Sequence, residues 1–460
     1  MDEGTTLLDV FAERVSRHPD RLALEELAAG GARRDVRLTW RDWHELSSRV
    51  ARALLRDGVQ PGDAVAIIAG NRNIWPIADV GVLMAGGVSV GVDPASPVAQ
   101  IVAQLSDCSA VAAIVDSTEH LARLFEARGE LPALQLIVCE DGPSNGARWW
   151  GEWLGDAMAA GALLPRATPD DIALLIYPGG AAAAPLGARI SHRYLSASTA
   201  SLRTVVGLGD SDRSLSFLPY CDARERVFGL YTRILCGMSV GHVEQREKIE
   251  PAARAFEPTF FSGRPEQFAG LHESLIAHHR ALGDADRPRW DEAMTLGRER
   301  ATLRQRNERV PDLLEARWRL ASAGCRNELS RLLGGRVRLA SVAGAGLAAD
   351  TADYLDAAGL TVLASYGQAE HLCIAMQRPD DYDATTAGPS MPGTELRIAD
   401  DSELLVRRSA LTFAGYHEKP NASRAAFTAD GLWLKTGDTA EIASNGRLRL
   451  TGQKRGTDNG

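Results

Sequence analysis

The chain has 460 residues, of which 45% are hydrophobic and 24% charged, with 44 glycines and 21 prolines. These values exclude a disordered, collagen-like or disulfide-stapled chain and allow about two to four folding units at roughly 100–200 residues each. A formal net charge of −9 argues against a phosphate backbone as the main partner, so no nucleic acid is expected.

The six cysteines, Cys108, Cys139, Cys221, Cys236, Cys325 and Cys373, are dispersed with no C-x-x-C pair, which points to a reducing compartment and away from a structural zinc. The most apolar stretch, Val80 to Val92, is interrupted by Gly81, Gly86, Gly87 and Gly91. It is too short to span a bilayer and reads as a helix end running into a buried strand, so no membrane span is expected. The start Met1-Asp2-Glu3-Gly4 is acidic where a signal peptide is basic, and a cytoplasmic protein is expected.

In chain order, Leu7, Leu8, Phe11 and Val15 share one helical face. Thr39 and Asp42 form a capping-box start, and Leu46, Val50 and Leu54 recur at helical spacing before Gly58. Apolar runs at Ala64 to Ile68, Val88 to Val92, Ala110 to Val115 and Leu134 to Val138 read as buried strands between helices, which predicts a mostly parallel sheet covered on both faces. The pattern resumes with strands at Ile172 to Tyr177, Ser214 to Leu218, Thr259 to Ser262, Val337 to Ser341 and Thr361 to Ser365, and helices at Arg193 to Val206 and Arg226 to Cys236. From about Thr394 the period shifts towards two: Glu395 to Ile398, Glu403 to Arg407, and Thr439 to Leu450 around Asn445-Gly446 predict a small antiparallel unit.

The predicted fold class is α/β, with two stacked, mostly parallel sheets and a small antiparallel β subdomain. The division in residue numbers is 1–175, 176–390 with a helical insert at 283–334, 391–452 for the β subdomain, and 453–460. The insert is Arg-rich, but its interspersed acids make it a solvated helical face rather than a nucleic-acid surface. It is also the candidate surface for a protein partner.

The segment Tyr177-Pro178-Gly179-Gly180-Ala181-Ala182-Ala183-Ala184-Pro185-Leu186-Gly187 follows a strand and precedes a helix. A glycine-rich turn there can aim backbone N–H groups at an anion. The loop carries no hydroxyl and no lysine, and taken alone it reads as a structural turn.

Other segments occur with it in a fixed order: Leu38-Thr39-Trp40, Asn71 to Pro94, Ser191-His192, Leu218-Pro219-Tyr220-Cys221-Asp222-Ala223-Arg224-Glu225-Arg226, Tyr366-Gly367-Gln368-Ala369-Glu370, Gly415-Tyr416 and Leu434-Lys435-Thr436-Gly437-Asp438. Together these resemble the AMP-forming acyl-CoA synthetase (adenylate-forming ligase) superfamily, in its long-chain fatty-acid branch, over residues 6–455. The family loop reads Thr-Ser-Gly-Thr-Thr-Gly-x-Pro-Lys-Gly.

The resemblance implies a large N-terminal domain that binds a carboxylic acid or acyl ligand together with ATP or AMP and Mg²⁺. It assigns nucleotide contacts to Gly179, Gly180, Gly187, Gly344, Tyr366, Gly367 and Asp438, the Mg²⁺ contact to Glu370, and the substrate pocket to Tyr220, Val342 and Ala343. Residues 453–460 are read as a remnant of the family's hinge, with the C-terminal lid domain absent, so CoA is not expected.

The departures from the pattern matter as much. Ala181, Ala182 and Gly179 stand where hydroxyls contact phosphate, and Leu186 where a lysine does. Val342-Ala343-Gly344-Ala345-Gly346 replaces Ser-Gly-Gly-Ala-Pro, Asp222 a histidine, Ala369 a threonine and Gln453 the hinge arginine; Gly456 falls at the hinge acid. Hydrogen bonds to charged groups contribute roughly 1.5–3 kcal/mol each, so losing three phosphate contacts costs on the order of 4–9 kcal/mol if they add. ATP use is therefore expected to be weakened or lost, with the chain either recruited to a specialised reaction or acting as a non-catalytic binding module.

Asp222, Glu370 and His371 are the candidate catalytic residues. A carboxylate–imidazole pair at Glu370-His371 suits acid/base work near neutral pH, although neighbours on a strand face opposite sides, which favours a core-satisfied histidine. Glu225 and Arg226 open a helix by resemblance and read as a structural ion pair. Gly87-Val88-Ser89-Val90-Gly91 and Gly237-Met238-Ser239-Val240-Gly241 match the hydrolase nucleophile pattern, but both run from a helix end into a strand, the reverse of the required elbow. His272, His278 and His279 lack the spacing of a metal site.

Overall fold

Two threonines start the first two helices. Thr6 opens Leu7–Arg17 and Thr39 opens Trp40–Arg56; each hydroxyl accepts from the backbone N–H of an aspartate, Asp9 or Asp42, whose carboxylate accepts from the threonine N–H. These reciprocal bonds satisfy donors that a helix start otherwise leaves open. The next helix, Ile74–Met84, is buried along its whole length, and it packs so closely on Trp40–Arg56 that a Cβ on Gly81 would lie 2.5 Å from Val50 Cβ. Only glycine allows that approach.

The computed structural model describes residues 4–27, 33–156, 165–177, 185–306, 308–342 and 346–454. Among these, three sheets form. A seven-stranded sheet runs in the order Arg148–Trp149, Leu136–Cys139, Ala112–Val115, Ala64–Ile68, Val88–Val92, Ile172–Ile176, Ala188–Ser191, parallel except for its last pair. An eight-stranded sheet runs His371–Met376, Val362–Gln368, Leu339–Val342, Phe260–Gly263, Arg213–Ser216, Ser239–His242, Leu22–Leu27, Arg33–Thr39, parallel inside and antiparallel at both edges. The third sheet, antiparallel, runs Gly388–Pro389, Arg447–Gln453, Trp433–Ile442, Glu403–Arg407, Leu396–Ile398.

The sheets do not follow the division at residue 175. Leu22–Leu27 pairs in parallel with Ser239–His242, Leu24 opposite Val240, so the N-terminal hairpin belongs to the second sheet. The first sheet continues to Ser191. Local periodicity identifies a strand but carries no information about which distant strand completes its hydrogen bonds.

A charged network lies buried among the elements that join the two large sheets. Arg226 pairs with Asp79, which also accepts from Tyr231 Oη at 2.7 Å and Ser89 Oγ at 2.6 Å. Glu225 pairs instead with Arg233 at 2.8 Å and accepts from Ser216 Oγ at 2.7 Å. Glu225 and Arg226 open a π-helical turn, Glu225–Tyr231, rather than an α-helix. Ser89 is thus committed inside a strand, and Ser239 begins one; neither stands at a nucleophile elbow.

The insert folds as helices Arg287–Gln305, Asp312–Ala321 and Ala323–Leu333 around buried Trp290 and Trp318. Several of its arginines are ion-paired: Arg300 to Glu315 at 2.8 Å, Arg304 to Asp356 at 2.9 Å and Arg317 to Glu292 at 3.0 Å. No helix among the described residues is long and apolar enough to cross a membrane.

Candidate active site

The C-terminal ends of Arg213–Ser216, Phe260–Gly263, Leu339–Val342 and Val362–Gln368 lie side by side in the eight-stranded sheet, the edge where open α/β sheets hold their ligands. The segments leaving those ends carry Tyr220, Asp222 and Glu370 among the described residues. Gly367 sits in the tight hairpin Val362–Met376, where a Cβ would collide with the Leu372 carbonyl.

The hairpin meets the small sheet through Tyr366, whose hydroxyl donates to Asp438 Oδ2. Burial, then the adjacent carboxylate, pushes the Tyr366 phenol well above its usual pKa, so it stays a donor. Gln368 Nε2 donates to the Thr436 carbonyl at 3.0 Å, and Gly437 N–H to Glu403 Oε1 at 3.0 Å. Lys454 pairs with Glu403 at 2.8 Å and Asp401 at 2.6 Å. Asp438 Oδ1 has no hydrogen bond among the described residues and remains able to accept hydroxyls.

Glu370 is 7% exposed, and its Oε1 accepts from Tyr416 Oη at 2.6 Å. Burial and this carboxylate push the Tyr416 phenol upward as well. The preceding carbonyl, that of Ala369, accepts from Tyr194 Oη at 3.0 Å, and Phe413 N–H donates to the Glu370 carbonyl at 2.9 Å. The backbone around Glu370 is therefore fixed from two directions.

His371 does not join Glu370. It is completely buried, with Nε2 3.0 Å from Thr394 Oγ1 and Nδ1 3.3 Å from Thr412 Oγ1. Burial lowers its pKa to about 4, so it is neutral across the physiological range. The acid/base pairing is corrected: strand alternation turns the imidazole into the core.

Two substrate-pocket assignments are corrected as well. Tyr220 stacks on Trp75 with centroids 4.7 Å apart, and its hydroxyl meets His242 Nε2 at 2.9 Å. Val342 packs into the apolar core beneath the helical insert. Both are 2% exposed, so among the described residues their side chains are committed to the interior. Asp222 is placed differently: its side chain is 29% exposed, Oδ1 accepts from the Arg224 N–H at 2.8 Å, and Arg224 Nη2 donates to the Gly367 carbonyl at 2.8 Å.

Gly179, Gly180, Ala343 and Gly344 lie outside the described residues, as do Ala181 and Ala182. Gly187, at the loop's far end, faces the Tyr177 ring, where a Cβ would come within 2.9 Å of Cζ. Among the described residues no cluster of three His, Cys, Asp or Glu is arranged to hold a metal. Sequence reasoning missed Arg264, Glu403 and Lys454. It quoted Tyr416 only as a motif, and the separation of 46 positions between Glu370 and Tyr416 leaves no local signal of their bond.

The chain's sequence matches the pattern of the family described as AMP-binding enzyme over residues 11–417. It is 29% identical over 419 residues to the long-chain-fatty-acid–CoA ligase FadD15 of Mycobacterium tuberculosis, an alignment covering 88% of this chain and 67% of that protein. It is 25% identical to the peroxisomal long chain acyl-CoA synthetase 7 of Arabidopsis thaliana, over 91% of this chain and 62% of that one. The anthranilate CoA ligase AuaEII, solved with anthranoyl-AMP, superposes with a TM-score of 0.77 at 21% identity over 98% of this chain and 78% of its own. The N-terminal domain of FACL13 from Mycobacterium tuberculosis gives 0.77 at 18% identity, over 97% and 99%. The chain belongs to the AMP-binding enzyme family.

Proposed function

We propose that this chain binds a carboxylic acid at the strand-end site but activates it with ATP poorly, and that it serves a specialised reaction on that acid. The observation that carries the reading is the loop composition: Ala181, Ala182 and Leu186 offer no hydroxyl or cation to a triphosphate. Acyl adenylation proceeds by positioning and charge neutralisation, so the missing donors bear directly on rate.

The residues present fit the nucleoside end of a nucleotide better than its phosphates. Asp438 keeps an oxygen able to accept from a ribose diol, beside the Tyr366 ring. The loop residues Ala181, Ala182 and Leu186 bring no hydroxyl or cation to the triphosphate end, and Glu370, the carboxylate expected to meet Mg²⁺, already accepts from Tyr416. A cytoplasmic location belongs to the same reading.

The test is restoration. Ala181→Thr, Ala182→Thr and Leu186→Lys combined should raise ATP affinity by at least tenfold in titration calorimetry; unchanged affinity refutes the account of the loop. A second reading, a non-catalytic module, is favoured by Leu313 and Leu320, 74% and 76% exposed on Asp312–Ala321 in the insert, a surface suited to a protein partner. It predicts that an acid raises the unfolding temperature while no acid supports turnover.

A further inference from the structure

Strand alternation divides the residues at the strand ends into two sets. Phe261, Ala340 and Val342 point into the core beneath the insert. Ser262 and Ser341, directly paired in register, point the other way, and Ser341 Oγ donates to Ser262 Oγ at 3.1 Å. Arg264 follows just beyond that strand end, and its Nη2 lies 3.6 Å from Asp222 Oδ2. The opposition is too wide for a closed hydrogen bond.

Asp222 Oδ1 is occupied by the Arg224 N–H, while Oδ2 has only the distant guanidinium among the described residues. The Asp222 and Arg264 side chains remain 29% and 38% exposed. A group placed between them can donate to Asp222 and accept from Arg264 at once, and a hydroxyl does both.

We propose that the acid taken by this site carries a hydroxyl substituent held between Asp222 and Arg264, and is not a plain alkyl acid. The inference rests on the acid-binding reading above. An unbroken methylene chain laid against Asp222, Arg264 and the Ser262–Ser341 pair removes water from polar groups and returns no hydrogen bond. A site built to bond a hydroxyl discriminates strongly against the analogue that lacks it.

The test uses matched pairs on the wild-type chain: 3-hydroxydecanoate against decanoate, and 3-hydroxybenzoate against benzoate, by titration calorimetry without nucleotide. The hydroxylated member of at least one pair should bind about tenfold more tightly, the scale of one to two net hydrogen bonds. Asp222→Ala should bring the affinity ratio within each pair back to about one, and thermal unfolding of the variant verifies that it is folded; a tenfold ratio that survives in the folded variant overturns the assignment of the hydroxyl to Asp222. Equal or tighter binding of the parent acid in both pairs overturns this inference alone. Binding by none of the four overturns the acid-binding reading and this inference with it.

Discussion

Tyr416→Phe separates two roles of one hydrogen bond. The phenol donates to Glu370 Oε1 at 2.6 Å, and the carboxylate is 7% exposed, so the bond is short, charge-assisted and shielded from water. Such bonds contribute about 1.5–3 kcal/mol, and urea unfolding of the variant should show a loss of that size. If Glu370 is the carboxylate that faces Mg²⁺, the same change frees its oxygen for the cation. Nucleotide affinity should then rise about tenfold with Mg²⁺ and stay constant without it, and Glu370→Gln should abolish the gain. Unchanged stability would show that the bond does not form in solution. A stability loss with no Mg²⁺-dependent gain would refute the assignment of Glu370 to the metal.

Three further outcomes follow from buried groups. Arg226→Met leaves Asp79 without its cation inside the molecule and should cost about 3–5 kcal/mol in denaturant unfolding, whereas replacing both partners with apolar residues should cost less. Burial raises the Glu140 carboxyl to about 7 despite Arg72 at 2.8 Å, with Glu26, Asp116 and Asp141 adding in the same direction. A raised carboxyl binds its proton more tightly in the folded state, so stability falls as pH rises from 4.5 through 7, by up to about 3 kcal/mol. His120, also raised by its bond to Asp116, steepens that fall above its normal range, while Asp116, lowered, acts only in acid; Glu140→Gln should flatten the profile between pH 5 and 7. His371→Gln should lower stability without altering the pH dependence of ligand binding, because the imidazole is already neutral and enclosed.

The sequence carried those parts of the fold that depend on neighbours in the chain. The Thr39–Asp42 capping box and the strand Glu403–Arg407 are local, and both form as the pattern predicts. The helix expected at Arg226 to Cys236 is partly π-helical instead, and there Glu225 lies over Gly229 while pairing with Arg233. What was illegible is non-local. The hairpin Leu22–Thr39 joins a strand more than two hundred residues away, and no periodicity encodes that choice.

The site divides in the same way. Motif order named Tyr366, Glu370 and Asp438, and the structure bonds Tyr366 to Asp438 but Glu370 to Tyr416; side-chain direction decides their neighbours. A shift of one residue along Leu339–Val342 separates Val342, in the core, from Ser341, on the opposite face. Tyr220 carries the motif position yet spends its hydroxyl on His242. Polar residues in a motif announce a site only when their hydrogen bonds are left open.

Pyrophosphate exchange tests the central claim most directly. With Mg·ATP and a panel of carboxylic acids that includes 3-hydroxydecanoate and 3-hydroxybenzoate, the account predicts exchange at least a thousandfold slower than in a ligase with an intact loop. That is the low end of the roughly three to six decades set by three lost phosphate contacts. Exchange at the rate of an intact ligase would contradict it.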